Sequence, residues 1–575
     1  MRLTSLLLSA TTAVVVVAAG RDVGHAGKLH KAFAEARKKT TVREPVMDQI
    51  LDRRASAPLF LNANTSKFAV NGTGIPDVNF DVGESYAGSL PISSDPNEES
   101  NLFWWFFPST NPDAKKEILI WLNGGPGCSS FEGLLQENGP FLWQYGTFKP
   151  VHNPWSWNTL TNVVWVEQPV GTGFSTGKVT ATSEEDVAKQ FMGFWRNFMD
   201  TFSMQGYKVY IAGESYAGLY CPYIASAFLN AEDTTYYNMS GLLIYDPSIT
   251  LDVVSESIPI LAFTEYWGGL YPFNDTFRAT IQARDAKCGY SAWMNKYLVY
   301  PPSGPQPLPF PGSDENGIPL EECVNIYWDI FDAISLINPC FDLYQVATTC
   351  PLLWDVLGFP GSFSYMPEGS SVYFDRADVK AAIHAPNITW EECTSKNVFV
   401  NGTDSSLPSH IKALPHVIDK TQNVQIVHGA LDMILLANGT LLGIQNMTWG
   451  GKLGFQTKPN WPFYVPYNDF TTHSNLAAAG VFGSMVTERG LTYVSVDLSG
   501  HMVPQYAPSA AYRQLEFLLG RVDCMNCTTP FTVDKGAPQS SQPLGLGTAP
   551  QAWSEAGGGK NCSRKRSAPG RKLRK

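Results

Sequence analysis

The segment Tyr207-Lys-Val-Tyr-Ile-Ala-Gly-Glu-Ser-Tyr-Ala-Gly218, with the apolar stretch Leu219 to Leu229 behind it, restricts this chain more than any other feature. A β-type run leads into a serine set among small residues, and a helix-forming run leads away. Small neighbours permit the sharp turn that lifts a serine hydroxyl above a sheet. Pro222 falls near the first turn of the predicted helix, where a missing N–H is tolerated. The same hexapeptide, Gly-Glu-Ser-Tyr-Ala-Gly, also occurs at 83–88. There it follows Asp77-Val-Asn-Phe-Asp-Val82 and runs into Gly88-Ser-Leu-Pro-Ile92, with no helix to follow. Ser85 therefore reads as an ordinary strand or turn residue, and Ser215 as the exposed one.

The rest of the chain agrees with an α/β architecture. Glu117–Leu122 and Val163–Val166 are short buried-type strands, and Asn123-Gly-Gly-Pro-Gly127 is a tight loop. Val187, Phe191, Phe194, Phe198 and Phe202 recur at helical spacing behind Ser183-Glu-Glu-Asp186, which reads as a cap with first-turn acids. Strand character returns at Val424–Val427 and Leu491–Val496. Strands alternating with helices imply a mostly parallel central sheet with helices on both faces. Residues 248–370 differ: 300–312 is Pro-rich, and Cys288, Cys323, Cys340 and Cys350 fall within the stretch. This reads as a cap inserted into a core made of 56–247 and 371–523.

A nucleophilic serine needs a base, and the base needs an acid to orient it. In the α/β-hydrolase order these follow as Ser, Asp or Glu, then His. His501 lies just beyond the strand ending at Val496, and Asp432 just beyond the strand 424–427. Asp497 is a rival acid in the same loop as His501. His428 is a rival base, but it precedes Asp432 and breaks the order. Oxyanion donors are expected from the N–H of Tyr216 and from the Asn123–Gly127 loop, at Gly125.

The ends and the composition point to export. Met1-Arg2 followed by apolar residues to Ala19 reads as a signal peptide, 1–19. Residues 20–55, closing on Arg53-Arg54, read as a removable pro-segment. Ten Asn-x-Ser/Thr sequons mark glycan acceptors: Asn64, Asn71, Asn238, Asn274, Asn387, Asn401, Asn438, Asn446, Asn526 and Asn561. Ten cysteines in this setting read as disulfides rather than metal ligands, and no metal or organic cofactor is called for. The net charge of −11 hides an asymmetry. Residues 560–575 carry 8 basic and no acidic residues, whereas 56–559 carry 23 basic and 47 acidic residues. A body this acidic repels nucleic acid. No stretch beyond the leader is long and apolar enough to span a membrane. The tail 524–575 is Pro-, Gly- and Ser-rich, then basic, and reads as disordered.

Trp121-Leu-Asn-Gly-Gly-Pro-Gly-Cys-Ser-Ser130, Gly213-Glu-Ser-Tyr-Ala-Gly218 and Gly500-His-Met-Val-Pro504 together resemble the serine carboxypeptidase family over roughly 80–520. Asp432 to Gln445 is most similar to its secreted filamentous-fungal members. The resemblance implies release of C-terminal amino acids from peptides and proteins in acid, outside the cell or in a vacuole- or lysosome-like compartment. It implies that Asn123, Gly124, Glu137 and Glu214 bind the substrate's terminal carboxylate. Two acidic side chains facing a carboxylate must share protons, so binding should favour low pH. The family pattern also implies a Cys128–Cys393 disulfide. Cys288–Cys323 and Cys340–Cys350 are expected inside the insertion, and Cys221 is expected as a free buried thiol. An acyltransferase of the same fold and a non-catalytic secreted binding protein are the alternatives; the second would be marked by a lost site residue, and none is lost.

Overall fold

The computed structural model of the protein describes residues 58–112, 114, 116–359, 362–466 and 479–533. The expected signal peptide, 1–19, and the whole of the expected pro-segment, 20–55, lie outside the described residues, as do 534–575 of the tail. Eleven strands form one sheet: β1 (Ala69–Val70), β2 (Ser85–Pro91), β3 (Asn101–Phe107), β4 (Glu117–Leu122), β5 (Asn162–Glu167), β6 (Lys208–Glu214), β7 (Met239–Tyr245), β8 (Val424–Gly429), β9 (Trp461–Val465), β10 (Gly480–Glu488) and β11 (Leu491–Val496). Their order is β1-β2-β3-β5-β4-β6-β7-β8-β11-β10-β9. The central strands β5, β4, β6, β7, β8 and β11 are parallel. Antiparallel strands flank them at both edges.

Parallel strands are buried on both faces, which is why they read as continuous apolar runs. In β4, Ile118, Ile120 and Leu122 point to one core, with helices α1 (Glu184–Phe202), α2 (Ala217–Asn230) and α3 (Ala413–Thr421). Leu119 and Trp121 point to the other, which α4 (Pro508–Leu518) helps to cover. The alternation follows from the two-residue period of a strand.

Two local readings need correction. Ser183 stands at the N-cap of α1 in extended conformation, but its side chain makes no capping bond. The hydroxyl of Ser406 accepts from the Glu184 N–H instead, at 2.6 Å, across 222 residues of sequence. Pro222 lies beyond the first turn of α2, because that helix begins at Ala217. The i−4 carbonyl it cannot serve, that of Gly218, accepts from the Ser409 hydroxyl at 2.6 Å. A long-range hydroxyl thus replaces the missing N–H.

Between β7 and β8, residues 260–337 supply short helices that pack around Ile281, Tyr290, Ile326, Tyr327 and Ile330. Cys288–Cys323 and Cys340–Cys350 are disulfide-bonded there. This core is continuous with Leu431, Met433 and Leu436, so the insertion packs directly on the loop that carries Asp432. No helix among the described residues is long and apolar enough to cross a membrane.

Candidate active site

Ser215 sits between β6 and α2 with φ +63°, a left-handed conformation that a side chain adopts only under constraint. Its N–H donates to Tyr245 O at 3.0 Å, and its carbonyl accepts from Ser248 N–H at 2.9 Å. The flanking glycines are required by contact. A Cβ on Gly213 would lie 2.4 Å from Leu122 O, and one on Gly218 would lie 2.5 Å from Ser248 O. Ser85, in the twin hexapeptide, is buried at the start of β2, opposite Val70 of β1. The two serines share a sequence and nothing of their surroundings.

β6, β8 and β11 all end at one edge of the parallel sheet, where ligands of open α/β sheets bind. Asp432 follows β8, and His501 follows β11. His501 Nδ1 stands 2.8 Å from Asp432 Oδ2, and both residues are buried. Asp432 Oδ1 accepts from Ile434 N–H at 2.9 Å. His501 Nε2 is buried and has no hydrogen-bond partner among the described residues. The insertion braces this pair. Tyr344 O accepts from His501 N–H at 2.8 Å, the Tyr344 ring centroid lies 5.2 Å from that of His501, and Leu343 O accepts from Met433 N–H at 2.9 Å. Gly429 and Gly500 allow the loops to meet: a Cβ on Gly429 would fall 2.1 Å from Gly500 O. Asp497 is exposed, whereas Asp432 faces the imidazole.

The loop after β4 packs against the serine turn. A Cβ on Gly124 would lie 2.5 Å from Tyr216 N and 2.7 Å from Ser215 Cβ. Gly125 has φ +110°, and a Cβ there would meet Gly127 N and Cys128 N at 2.7 Å. The Cys128–Cys393 disulfide ties the loop down. Asn123 is held by its Oδ1, which accepts from Trp121 Nε1 at 2.7 Å and Gly133 N–H at 3.2 Å. That orientation turns Nδ2 toward three carboxyls: Glu214 at 2.8 Å, Glu137 at 3.4 Å and Glu132 at 3.5 Å. Burial raises Glu137 and Glu214 well above the ordinary carboxyl range, and the two share a hydrogen bond. Such a pair keeps a proton above the pH at which ordinary carboxyls lose theirs.

Burial disfavours a charged His501, but Asp432, its hydrogen bond, Asp246 and Glu214 outweigh that and raise it above the ordinary imidazole value. Burial itself holds Asp246 and Glu214 protonated, so in acid the supporting anion is chiefly Asp432.

Two residues of the site, Glu132 and Asp246, escape a reading of local pattern. Glu132 is half-buried beside Asn123, and burial and then Asp355 raise it to about 7. Its place in Phe131-Glu-Gly-Leu-Leu-Gln-Glu137, in the same motif as Glu137, was an available signal. Asp246 is buried next to Asp432 and the rival base His428, and only the sheet order brings it there. The sequons Asn64, Asn71, Asn274, Asn387, Asn401 and Asn526 are exposed, and Asn238, Asn438 and Asn446 are partly buried. Asn561 lies outside the described residues. Cys221 is a free buried thiol, and Cys524 is bonded to Cys527.

Residues 76–520 match the family model described as serine carboxypeptidase. A probable serine carboxypeptidase of Arthroderma benhamiae is 57% identical over 473 residues, covering 80% of this chain and 88% of the relative. Serine-type carboxypeptidase F of Aspergillus niger is 46% identical over 482 residues, 81% of this chain and 89% of its own. Among solved structures, that of Kex1Δp, a prohormone-processing carboxypeptidase from Saccharomyces cerevisiae, superposes with a TM-score of 0.62 at 24% identity. The match covers 80% of this chain and 98% of that one, and shows the α/β-hydrolase fold.

Proposed function

The chain belongs to the serine carboxypeptidase family, and from that premise we propose that it releases C-terminal amino acids in acid through Ser215, His501 and Asp432. The observation that carries this assignment is the strained Ser215 turn at the same sheet edge as the buried His501–Asp432 pair. In this reading Ser215 Oγ attacks the last peptide carbonyl while His501 Nε2 takes its proton. Asp432 keeps the proton of His501 on Nδ1 and stabilises the imidazolium. The N–H groups of Gly125 and Tyr216 hold the oxyanion, a contribution whose loss costs roughly 100–1,000-fold in rate. The imidazolium then protonates the leaving amine, and water resolves the acyl-enzyme.

Asn123, Gly124, Glu137 and Glu214 receive the terminal carboxylate. The protonated Glu pair can donate to it, whereas an ionised pair would repel it. Binding therefore weakens as pH rises through the range in which the pair loses its proton. Secretion, a cleaved leader 1–19, a pro-segment 20–55, glycans on the exposed sequons and a substrate-selecting role for 248–370 belong to the same proposal. They are supported by the leader's composition and by the packing of the insertion on the triad loops.

The test is release of free amino acids from an N-blocked dipeptide between about pH 3 and pH 8, with Ser215→Ala and Ser85→Ala alongside. Activity in acid, abolished by Ser215→Ala and retained by Ser85→Ala, is the expected result. Full activity in Ser215→Ala would refute the assignment.

A further inference from the structure

Asp246 follows β7 with φ +41°, a conformation held by its surroundings. Its N–H donates to Val427 O at 2.7 Å, and its Oδ1 accepts from Gly429 N–H at 2.8 Å. Both anchors belong to β8, the strand that delivers Asp432. One oxygen of Asp246, one of Asp432 and a ring nitrogen of His428 lie within 4.8 Å of one another, in a part of the molecule closed to solvent. The two carboxyls are within hydrogen-bonding reach. Yet Asp246 Oδ2 is buried with no donor, and Asp432 already uses its oxygens on His501 and Ile434.

Two ionised carboxylates offer only acceptors to each other. A proton between them supplies the missing donor and removes one buried charge. His428 does not supply it. Its Nδ1 is 2.9 Å from Asp246 Oδ1 but out of line for a hydrogen bond. Burial lowers His428 to about 4, and its Nε2 pairs with the Thr440 hydroxyl at 2.8 Å.

We infer that Asp246 is a positioning residue for the triad: its protonated carboxyl donates to Asp432 and holds that carboxylate in line with His501. The inference rests on the assignment of Asp432 as the triad acid. The titratable groups facing Asp246 are Asp432 and His501 on their loops, His428 on β8, Glu137 beside the loop after β4, Tyr245 on β7 and Tyr493 on β11. No lysine or arginine is among them, so burial and the charge of Asp432 keep the proton on Asp246. A neutral Asp246 adds a hydrogen bond to Asp432 without a second negative charge beside His501. An ionised one would stabilise the imidazolium and deprive Ser215 of its base.

The experiment compares kcat and KM against pH for the wild type, Asp246→Ala and Asp246→Asn, with Asp432→Ala alongside. Without its donor, Asp432 presses its full charge on His501. Asp246→Ala should therefore lose roughly 10–100-fold in kcat with KM little changed. The acid limb of its kcat/KM profile should move up by about one pH unit. Asp246→Asn keeps a donor and should restore most of the lost turnover and the position of the limb. An Asp246→Ala enzyme within about twofold of wild type with an unmoved limb would overturn the inference, as would an Asp246→Asn enzyme as impaired as Asp246→Ala. If Asp246→Ala does not fold, Asp246→Ser, too short to reach Asp432, takes its place under the same criteria. Full activity in Asp432→Ala would instead refute the triad assignment, so the two failures are distinguishable.

Discussion

Replacing Glu167 with Gln tests whether buried carboxyls set how this fold responds to pH. Glu167 closes β5 and is fully buried. It accepts from the Ser129 hydroxyl, from Trp390 Nε1 at 3.0 Å and from Phe174 N–H at 2.6 Å. Burial outweighs these three donors and lifts its pKa from 4.5 to about 7. The folded chain thus keeps a proton that the unfolded chain releases near pH 4.5. The stability this contributes is complete below about pH 4.5 and is lost as pH rises through about 7. That gap is worth about 3 kcal/mol at ~1.4 kcal/mol per pH unit. With an unfolding entropy of ~2.1 cal/mol/K per residue over roughly 460 described residues, it amounts to about 3 °C in Tm. Gln cannot titrate. Calorimetry at about pH 4.5 and pH 8.5 should show the wild type losing about 3 °C more than Glu167→Gln between the two conditions. Equal losses in both proteins would refute the reasoning.

Three further outcomes follow from the geometry. Glu214→Gln keeps a neutral partner for Asn123, so the rise of KM with pH should flatten relative to wild type; superimposable KM profiles would contradict the shared-proton account. Ser409→Ala leaves the Gly218 carbonyl without its donor and should cost about 1–3 kcal/mol of stability. Adding Pro222→Ala should recover much of that loss by restoring a backbone N–H, and thermal melts of the single and double variants decide it. Gly429→Ala would force a Cβ to within 2.1 Å of Gly500 O, so the His501 loop must shift and kcat should fall with the fold retained, as followed by activity and circular dichroism.

The parts of the fold that were legible are those whose cause is local. Strands 117–122 and 491–496 match their apolar runs to the residue, because parallel strands buried on two faces leave no polar alternation to blur them. The twin hexapeptides were separable because one is followed by a helix and the other by a strand. The pairing of Asp432 with His501 was legible from their places just after strands. Asp246 was not, because nothing in Leu243-Ile-Tyr-Asp-Pro247 says that β7 will lie beside a strand that begins 179 residues after β7 ends. The same holds for the Ser406 cap on α1 and the Ser409 donor to α2: each is a polar group satisfied from far along the chain. Glu132 escaped for a different reason. It shares a motif with Glu137, but the raised affinity for a proton comes from burial and Asp355, which no local pattern displays.

The contacts of Tyr344 and Leu343 with the loops of His501 and Asp432 bear on how this enzyme could be re-engineered. A cap that only covered the cleft could be exchanged between relatives like a removable part. Here Tyr344 also holds His501, by its carbonyl on the His501 N–H and by its ring against the imidazole. A chimera joined at 248 and 370 would therefore import a foreign brace for His501 and the Asp432 loop. Productive grafts would have to carry 342–346, 428–433 and 499–501 together, as one inherited block.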